Sequence, residues 1–324
     1  MRVSTRLSTA WSRIWINQNT DITIKTRKTM ATVFREIWTG EMVKSLKGKM
    51  DGTWLDGVPD MSSIAENDVI HLVDVGVDPE VLVNNTTYPI PVQALEDKDI
   101  AIKLDKFQSK ATPITDDELY AASYDKVQRV KEAHAEAINI AKFTKAAHAL
   151  GESKATLFTS GKKGADLRYK MCLDDVIALK EAMDEKHVPA DGRRLVLSPD
   201  MVNDLLSSEQ SFREQYNINR ADGTIGRLYG FDVYEYAMTP LYKQDGTKLA
   251  LGATAPKSAE RCALAFYVPR VFKATGSTKM YYSEAATDPL SQRNLINFRH
   301  YFICMPKKDD ASVVMVKKND NSDA

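Results

Sequence analysis

Residues 115–151, TDDELYAASYDKVQRVKEAHAEAINIAKFTKAAHALG, contain neither proline nor glycine before the final position. Thr115 followed by Asp116, Asp117 and Glu118 reads as a capping residue with acids in the first turn, where they meet the positive end of a helix dipole. Gly151 reads as a stop. The stretch therefore predicts one helix over 116–150, roughly 50 Å long, about three times the average in globular proteins. Val127, Val130, Ala133, Ala137, Ile140, Ala141, Thr144 and Ala147 recur at helical spacing as a stripe of mostly small residues. Such a stripe lets a sheet or another helix approach closely, with Lys126, Arg129, Lys131, Glu132 and Glu136 turned away. A long helical bundle would need partner helices of like length, and none is legible elsewhere in the chain.

Upstream, residues 68–111 carry short β-branched segments, VIHLVDVGV, EVLVNN and DIAIKL, separated by polar turns. Ile100, Ile102 and Leu104 alternate with Ala101, Lys103 and Asp105, the period of a strand. This predicts a long β-hairpin too poor in large apolar residues to bury both faces within its own chain. An isolated hairpin is marginal in water, so it is expected to lie on a neighbouring subunit. Residues 31–50 predict a short amphipathic helix and 51–63 a loop. Downstream, helices are expected over 172–186 and 201–215. Strands are expected at RRLVLSPD (193–200), FDVYEY (231–236), ALAFYVPRVF (263–272), KMYYSEA (279–285), NLINFRHYFICM (294–305) and SVVMV (312–316).

Lys+Arg and Asp+Glu balance at 44 each. Wrapping a polyanion by bulk charge needs a basic excess, so any contact with nucleic acid must be local. No apolar run approaches the roughly 20 residues that span a bilayer, and no membrane association is expected. Cys172, Cys262 and Cys304 form no C-x-x-C pair, which reads as thiols kept in a reducing cytosol. The first 29 residues set Arg2, Arg6, Arg13, Lys25, Arg27 and Lys28 against a single acid, Asp21. Three readings stay open: an over-extended start or disordered arm, a basic arm meeting DNA or a partner inside a shell, and a cleaved leader.

Catalytic patterns fail in turn. SGKKG (160–164) lacks the spacing and the hydroxyl residue of a phosphate loop, and DGTIGRLYG (222–230) precedes a strand and reads as a turn. The histidines, His71, His134, His148, His187 and His300, form no H-x-x-x-H pair. His134 with Glu136 lacks the P-C-x-x-C partner of zinc deaminases and reads as a helix-surface residue. No G-x-S-x-G elbow occurs, and Asp97/Asp99 and Asp309/Asp310 read as solvated turns. No catalytic residue, cofactor or metal site is expected, and the absence of these motifs weighs against an enzyme without excluding one.

LDKFQSKATPITDDELYAASYDKV (104–127) resembles the junction of extended loop and spine helix in major capsid proteins of tailed phages, of the Hong Kong 97 type. GRRLVLSPDMVNDLLSSEQSFREQ followed by GTIGRLYGFDVYEY resembles the axial-domain core of that family. ATDPLSQRNLINFRHYFICMPKKDDASVVMV resembles its terminal peripheral strands. The resemblance spans roughly 31–318 and rests on element order more than on any one string. It implies an α+β fold with an N-terminal arm (1–61, of which 1–29 are open as above), an extended β-hairpin loop (62–115) and a spine helix with part of a peripheral domain (116–164). An axial domain (165–265) and peripheral strands with a tail (266–324) complete it.

The resemblance further implies self-assembly of identical subunits into hexamers and pentamers of an icosahedral head. Such a head assembles in the host cytoplasm, encloses double-stranded DNA held non-specifically on its inner face, and joins a portal. Only about 60 residues precede the hairpin, too few for the scaffolding segment that some relatives cleave, so a separate scaffolding protein is expected. Asp97, Lys98, Asp99, Lys103, Asp105 and Lys106 in the loop, and Arg270, Arg293 and Arg299 on the peripheral side, are the candidate inter-subunit contacts. No string aligns Lys98, Lys103 or Lys106 with a crosslinking site. The rival readings are a cellular encapsulin-like shell around an enzyme cargo and a soluble α/β enzyme.

Overall fold

A computed structural model describes residues 52–64, 69–75, 84–86, 88–89, 97–115, 125–208, 210–216, 224–287 and 290–320. The amphipathic segment 31–50, the arm 1–29 and the start of the long helix at 116–124 lie outside the described residues. In chain order the strands and helices are β1 (Val69–Val75), β2 (Asp97–Lys103), β3 (Asp105–Gln108), β4 (Thr112–Thr115), α1 (Lys126–Leu150), β5 (Leu157–Phe158), α2 (Leu173–Glu185), β6 (Arg193–Leu197), α3 (Pro199–Ser208) and α4 (Gln210–Tyr216). Then follow β7 (Thr224–Leu228), β8 (Phe231–Glu235), β9 (Leu241–Tyr242), β10 (Glu260–Tyr267), β11 (Val271–Ser283), β12 (Arg293–Pro306) and β13 (Ser312–Val316). The chain divides into two compact units, one of residues 50–108, 137–277 and 300–324, the other of 1–49, 109–136 and 278–299.

The larger unit is built on a seven-stranded mixed sheet, ordered β5-β13-β10-β6-β8-β7, with β9 paired to β10. Its central strands are buried along nearly their whole length, and their side chains alternate between two cores. Val196, Leu264, Phe266, Val314 and Val316 point into one, with Trp54, Phe143, Ala147 and Leu150 packed over them. Leu195, Leu197, Ala263, Ala265, Val313 and Met315 point into the other, under Val176, Leu179 and Met183 of α2 and Met201, Leu205 and Phe212 of α3 and α4. A strand covered on both faces needs apolar residues at consecutive positions, and this is why SVVMV and ALAF are uninterrupted. β13 pairs with β10 and β5, whereas the sequence reading grouped it with the peripheral strands.

Local chemistry fixes the ends of the elements. The buried Asp175 carboxylate accepts from the amides of Cys172 (2.9 Å) and Ser160 (2.9 Å) and from the Ser160 hydroxyl (2.7 Å), which caps α2 and pins the preceding turn. Pro199 opens α3, where its missing N–H costs nothing. At the end of α1 the Lys248 ammonium donates to the carbonyls of Gly151 (2.7 Å) and His148 (3.2 Å), which have no partner of their own in the last turn. Of residues 222–230, read as a turn, 224–228 instead form β7, followed by a tight turn at Tyr229-Gly230. Both turn residues have positive φ, 46° and 90°, as a two-residue hairpin requires. The segment 263–272, read as one strand, breaks at Val268–Arg270, because Pro269 cannot donate to a ladder.

In the smaller unit β4 pairs antiparallel with the start of β12, Thr115 facing Arg293. Thr115 is thus a strand residue and not the cap predicted for the long helix. The described helix opens at Lys126, and the Asp125 carboxylate accepts from the Gln128 amide at 3.0 Å. Ile114, Ile296 and Phe298 are fully buried there, and the His134 ring lies 5.5 Å from that of Phe298. The Asn294 side chain accepts from Tyr282 (2.8 Å) and from the Ala285 amide (2.9 Å), closing the bend between β11 and β12.

Over 133–142 α1 (25 residues) buries a different face from the predicted one, while Ala147 of the predicted stripe is buried. Ala133, Ala137, Ile140 and Ala141 are exposed, while Lys131, His134, Asn139 and Lys142 are buried beside Ala135, Ile138, Phe143 and Ala146. Small residues give a helix little reason to choose a side. Ile138, Phe143 and Leu150 carry most of the transferable apolar area, and their burial takes the neighbouring polar groups inward. His134 is therefore not a surface residue, and burial lowers its pKa. Lys142 is 3% exposed, and its ammonium sits over the rings of Phe143 (4.6 Å) and Phe302 (5.0 Å). Burial, and secondarily the charge of Lys273, lower its pKa to about 8. His300, stacked on Phe302, is held down to about 4 by burial and by Lys142.

Both shifts have a sign that can be measured. The cost of keeping Lys142 charged is fully present below about pH 8 and disappears as pH rises through the unfolded value of 10.5. Lys142→Met is expected to raise the unfolding free energy at pH 7 by on the order of 1–3 kcal/mol. The gain should shrink in denaturant titrations repeated between pH 8 and 10.5. A destabilised variant would contradict this. His300 is neutral in the fold, so stability should fall as pH drops from 6.5 toward about 4, and His300→Phe should flatten that limb of the pH–stability curve.

Candidate functional site

Among the described residues no group of three or more His, Cys, Asp or Glu side chains is placed to hold a metal ion. No helix among them is long and apolar enough to cross a membrane. In the Gly-Lys turn at 160–164 the groups are already engaged: the Ser160 amide bonds Asp175 (2.9 Å), the Gly161 amide bonds the Lys170 carbonyl (3.1 Å) and Lys163 bonds Asp320 (2.6 Å). Cys262 and Cys304 are buried thiols whose pKa values burial raises, that of Cys304 to about 12. Their thiolate fraction at neutral pH is negligible, so neither is a nucleophile there.

The hairpin is the distinctive surface. β1 and β2 pair antiparallel from Val69↔Lys103 to Val75↔Asp97 and form a sheet of their own. Its base is fastened: Ile70 (0% exposed) and Leu104 (3%) pack with Phe272, Ala274 and Ile303. Ala101, Lys103 and Lys106 are exposed, with Ile102 half-buried, as the alternation required.

The nine candidate contact residues are differently placed. Asp97, Lys98 and Asp99 lie on β2 opposite Val75, Asp74 and Val73, and their side chains lie outside the described residues. Lys103 and Lys106 are exposed. Asp105 already holds Lys145 at 2.5 Å. Arg270 holds Asp310 at 2.7 Å and sits over the Tyr267 ring. Arg293 is exposed opposite Thr115, and Arg299 lies over the Tyr281 ring at 5.5 Å. Asp105 and Arg270 therefore have partners within the chain, which any neighbour must compete for. Exposed pairs of this kind contribute about 0–1 kcal/mol, so the competition is even.

Sequence reasoning missed a cleft of about 340 Å³ between the hairpin base and the second half of α1. Phe107, Phe302 and Met305 give it apolar walls, and Lys103, Lys142 and Lys145 give it three ammonium groups against one carboxylate, that of Asp105. Lys142 lies one turn from both Ile138 and Ala146, and a lysine inside that apolar line was the available signal.

The chain was compared with known proteins. No curated protein matches it by sequence. The phage capsid protein family matches residues 97–315, from β2 to the penultimate residue of β13 and more than half of the chain. Among solved structures the chain is similar to one from Mycobacterium phage Che8, at 17% identity and TM-score 0.55, covering 78% of this chain and 85% of that one. The head of Helicobacter pylori bacteriophage KHP40 aligns at 11% identity and TM-score 0.56, over 80% and 86%. A virus-like particle from Pyrococcus furiosus aligns at 10% identity and TM-score 0.54, over 87% and 99%. The fold is therefore the Hong Kong 97-type capsid fold expected from element order, of α+β class. By the match of its family's pattern from hairpin to last strand, the chain belongs to the phage capsid protein family.

Proposed function

We propose that the chain is the major capsid protein of a tailed phage, a non-enzymatic subunit that closes into hexamers and pentamers and through them into an icosahedral head around double-stranded DNA. The observation that carries this reading is the hairpin, fastened at Ile70 and Leu104, whose two strands among the described residues pair with each other in a sheet of their own. Two strands alone are marginal in water, and a neighbouring copy is the simplest surface for them. Because the hairpin and the surface it would lie on differ, the contact is heterologous, and a rotation that closes makes a ring. Interfaces of this obligate kind bury on the order of 2,000 Å² or more, which an extended limb supplies without a larger core.

In this reading residues 62–115 are the extended loop, α1 the spine, the sheet around β6, β8 and β10 the axial domain, and β11 and β12 peripheral strands. Asp97, Lys98, Asp99, Lys103 and Lys106 meet a neighbour, with Arg293 and Arg299 among their partners. Asp105 and Arg270 exchange their internal partners or keep them. Assembly takes place in the host cytoplasm with a portal and a separate scaffolding protein, and contact with DNA is local and non-specific. The similarity to the Pyrococcus furiosus virus-like particle favours one second reading, a cellular shell around a protein cargo. Particles that co-purify with nucleic acid and tail proteins support the first, and particles filled with a protein cargo support the second.

Replacing residues 78–94 by a short Gly-Ser linker keeps the β1–β2 pairing and the buried base while removing the limb beyond them. The variant should unfold within a few °C of the parent, a shift of less than about 1 kcal/mol, yet sediment as free subunits or rings under conditions where the parent forms closed particles. Closed particles of parental size from this variant would contradict the interlocking role.

A further inference from the structure

The cleft beneath the hairpin holds a charge that the fold leaves unanswered. Lys142 is 3% exposed and makes no hydrogen bond or ion pair with any described residue; its contacts are two phenyl faces. It lines the open cleft beside Lys103 and Lys145, and the one carboxylate there, Asp105, is held by Lys145 at 2.5 Å. The nearby Lys273 adds like charge. A buried ammonium without a counter-ion is a standing cost. It is relieved by whatever brings a carboxylate and an apolar group into the cleft together.

The same chain presents such a group on α2. Ile177 is 44% exposed on a helix that otherwise buries Val176, Leu179 and Met183. Asp174 and Glu181 flank it at i−3 and i+4 and are exposed, so all three share one face. Neither acid makes a hydrogen bond or ion pair with a described residue, in contrast to Asp184 on the same helix, which holds Lys180 and Arg193 at 2.6 Å each. No residue of α2 lines the cleft. Socket and knob are therefore separate surfaces, one carrying two ammonium groups in excess and the other two unpaired carboxylates about an isoleucine.

We infer that the cleft at the hairpin base is a socket for α2 of a second copy of this chain, with Ile177 entering between Phe107, Phe302 and Met305 and with Asp174 and Glu181 meeting Lys142 and Lys103. The inference rests on the shell reading above and adds to it a named contact that does not use the hairpin tip. A socket and a knob on different elements make a head-to-tail contact, the kind that closes rings. Lys142 is then kept at a cost to the free subunit because it is repaid at the interface.

Particles assembled from a mixture of ¹⁴N- and ¹⁵N-labelled chain and treated with a water-soluble carbodiimide, which joins touching amines and carboxylates as amides, test this by peptide mass spectrometry. The expected result is isotopically mixed peptides joining Lys142 or Lys103 to Asp174 or Glu181. Amine acylation of Lys142 should be at least about tenfold slower in particles than in dissociated subunits, about 1.4 kcal/mol of protection. Ile177→Asp should raise the concentration needed for assembly at least about tenfold, whereas Ile177→Leu should stay within about twofold. Lys142→Met should give a more stable subunit that assembles less readily, an opposition that a purely structural lysine would not produce. Particles whose Lys142 couples only to other acids, or is acylated as fast as in free subunits, overturn the inference and leave the shell reading standing. A parent chain that forms no particles overturns both.

Discussion

Burial of β10 and β13 on both faces is the constraint on which the rest of the structure depends. Strands with apolar residues at consecutive positions, as along ALAF and VVMV, cannot face water on either side. Two separate coverings are therefore obligatory: α2, α3 and α4 over Leu195, Ala263 and Val313, and the second half of α1 with Trp54 over Val196, Leu264 and Val314. With α1 committed there, Phe143 meets Phe302 of β12, and β12 in turn joins β11 and the hairpin base through Ile303, Phe272 and Leu104. A capsid subunit has to project limbs without unfolding, and this doubly covered sheet is the stable body from which they project.

Much of that body was legible in the sequence. Uninterrupted apolar runs such as SVVMV and ALAF, the Pro199 helix start, and the alternation around Ile102 and Leu104 all state their environment locally. The misreadings share one physical cause. Thr115 has the chemistry of a cap, but its backbone is claimed by pairing with Arg293 across β4 and β12. The small-residue stripe of α1 has helical period, but Phe143, Ile138 and Leu150 outweigh it in buried area. Tyr229 and Gly230 read as a lone turn because the strand that precedes them, TIGRL, is short and sets Gly226 and Arg227 between its apolar residues. Each error took a local signal at face value where a long-range contact decided the outcome.

The candidate contacts were harder to read. Charge in a loop says that a side chain is solvated or paired, and only the fold says with which partner. Asp105 and Arg270 proved to be engaged by Lys145 and Asp310, neither of which sequence spacing connects to them. Conversely, Lys142 drew no notice among the many lysines of a charge-balanced chain. In the fold it is a buried cation with no anion among the described residues. Such groups are weak as sources of stability and informative about function, because a shell subunit must hold some of its binding energy back until another copy arrives.

Weak contacts summed over many copies make closure cooperative while leaving single errors reversible. The claim that this chain completes itself with copies of itself is tested most directly by electron cryomicroscopy of the purified full-length protein. The account predicts closed particles built of five- and sixfold rings, with the β1–β2 strand pair of each subunit lying against a neighbour. A stable, monodisperse single chain at assembly concentrations, with that strand pair folded onto its own subunit along its whole length, would contradict it.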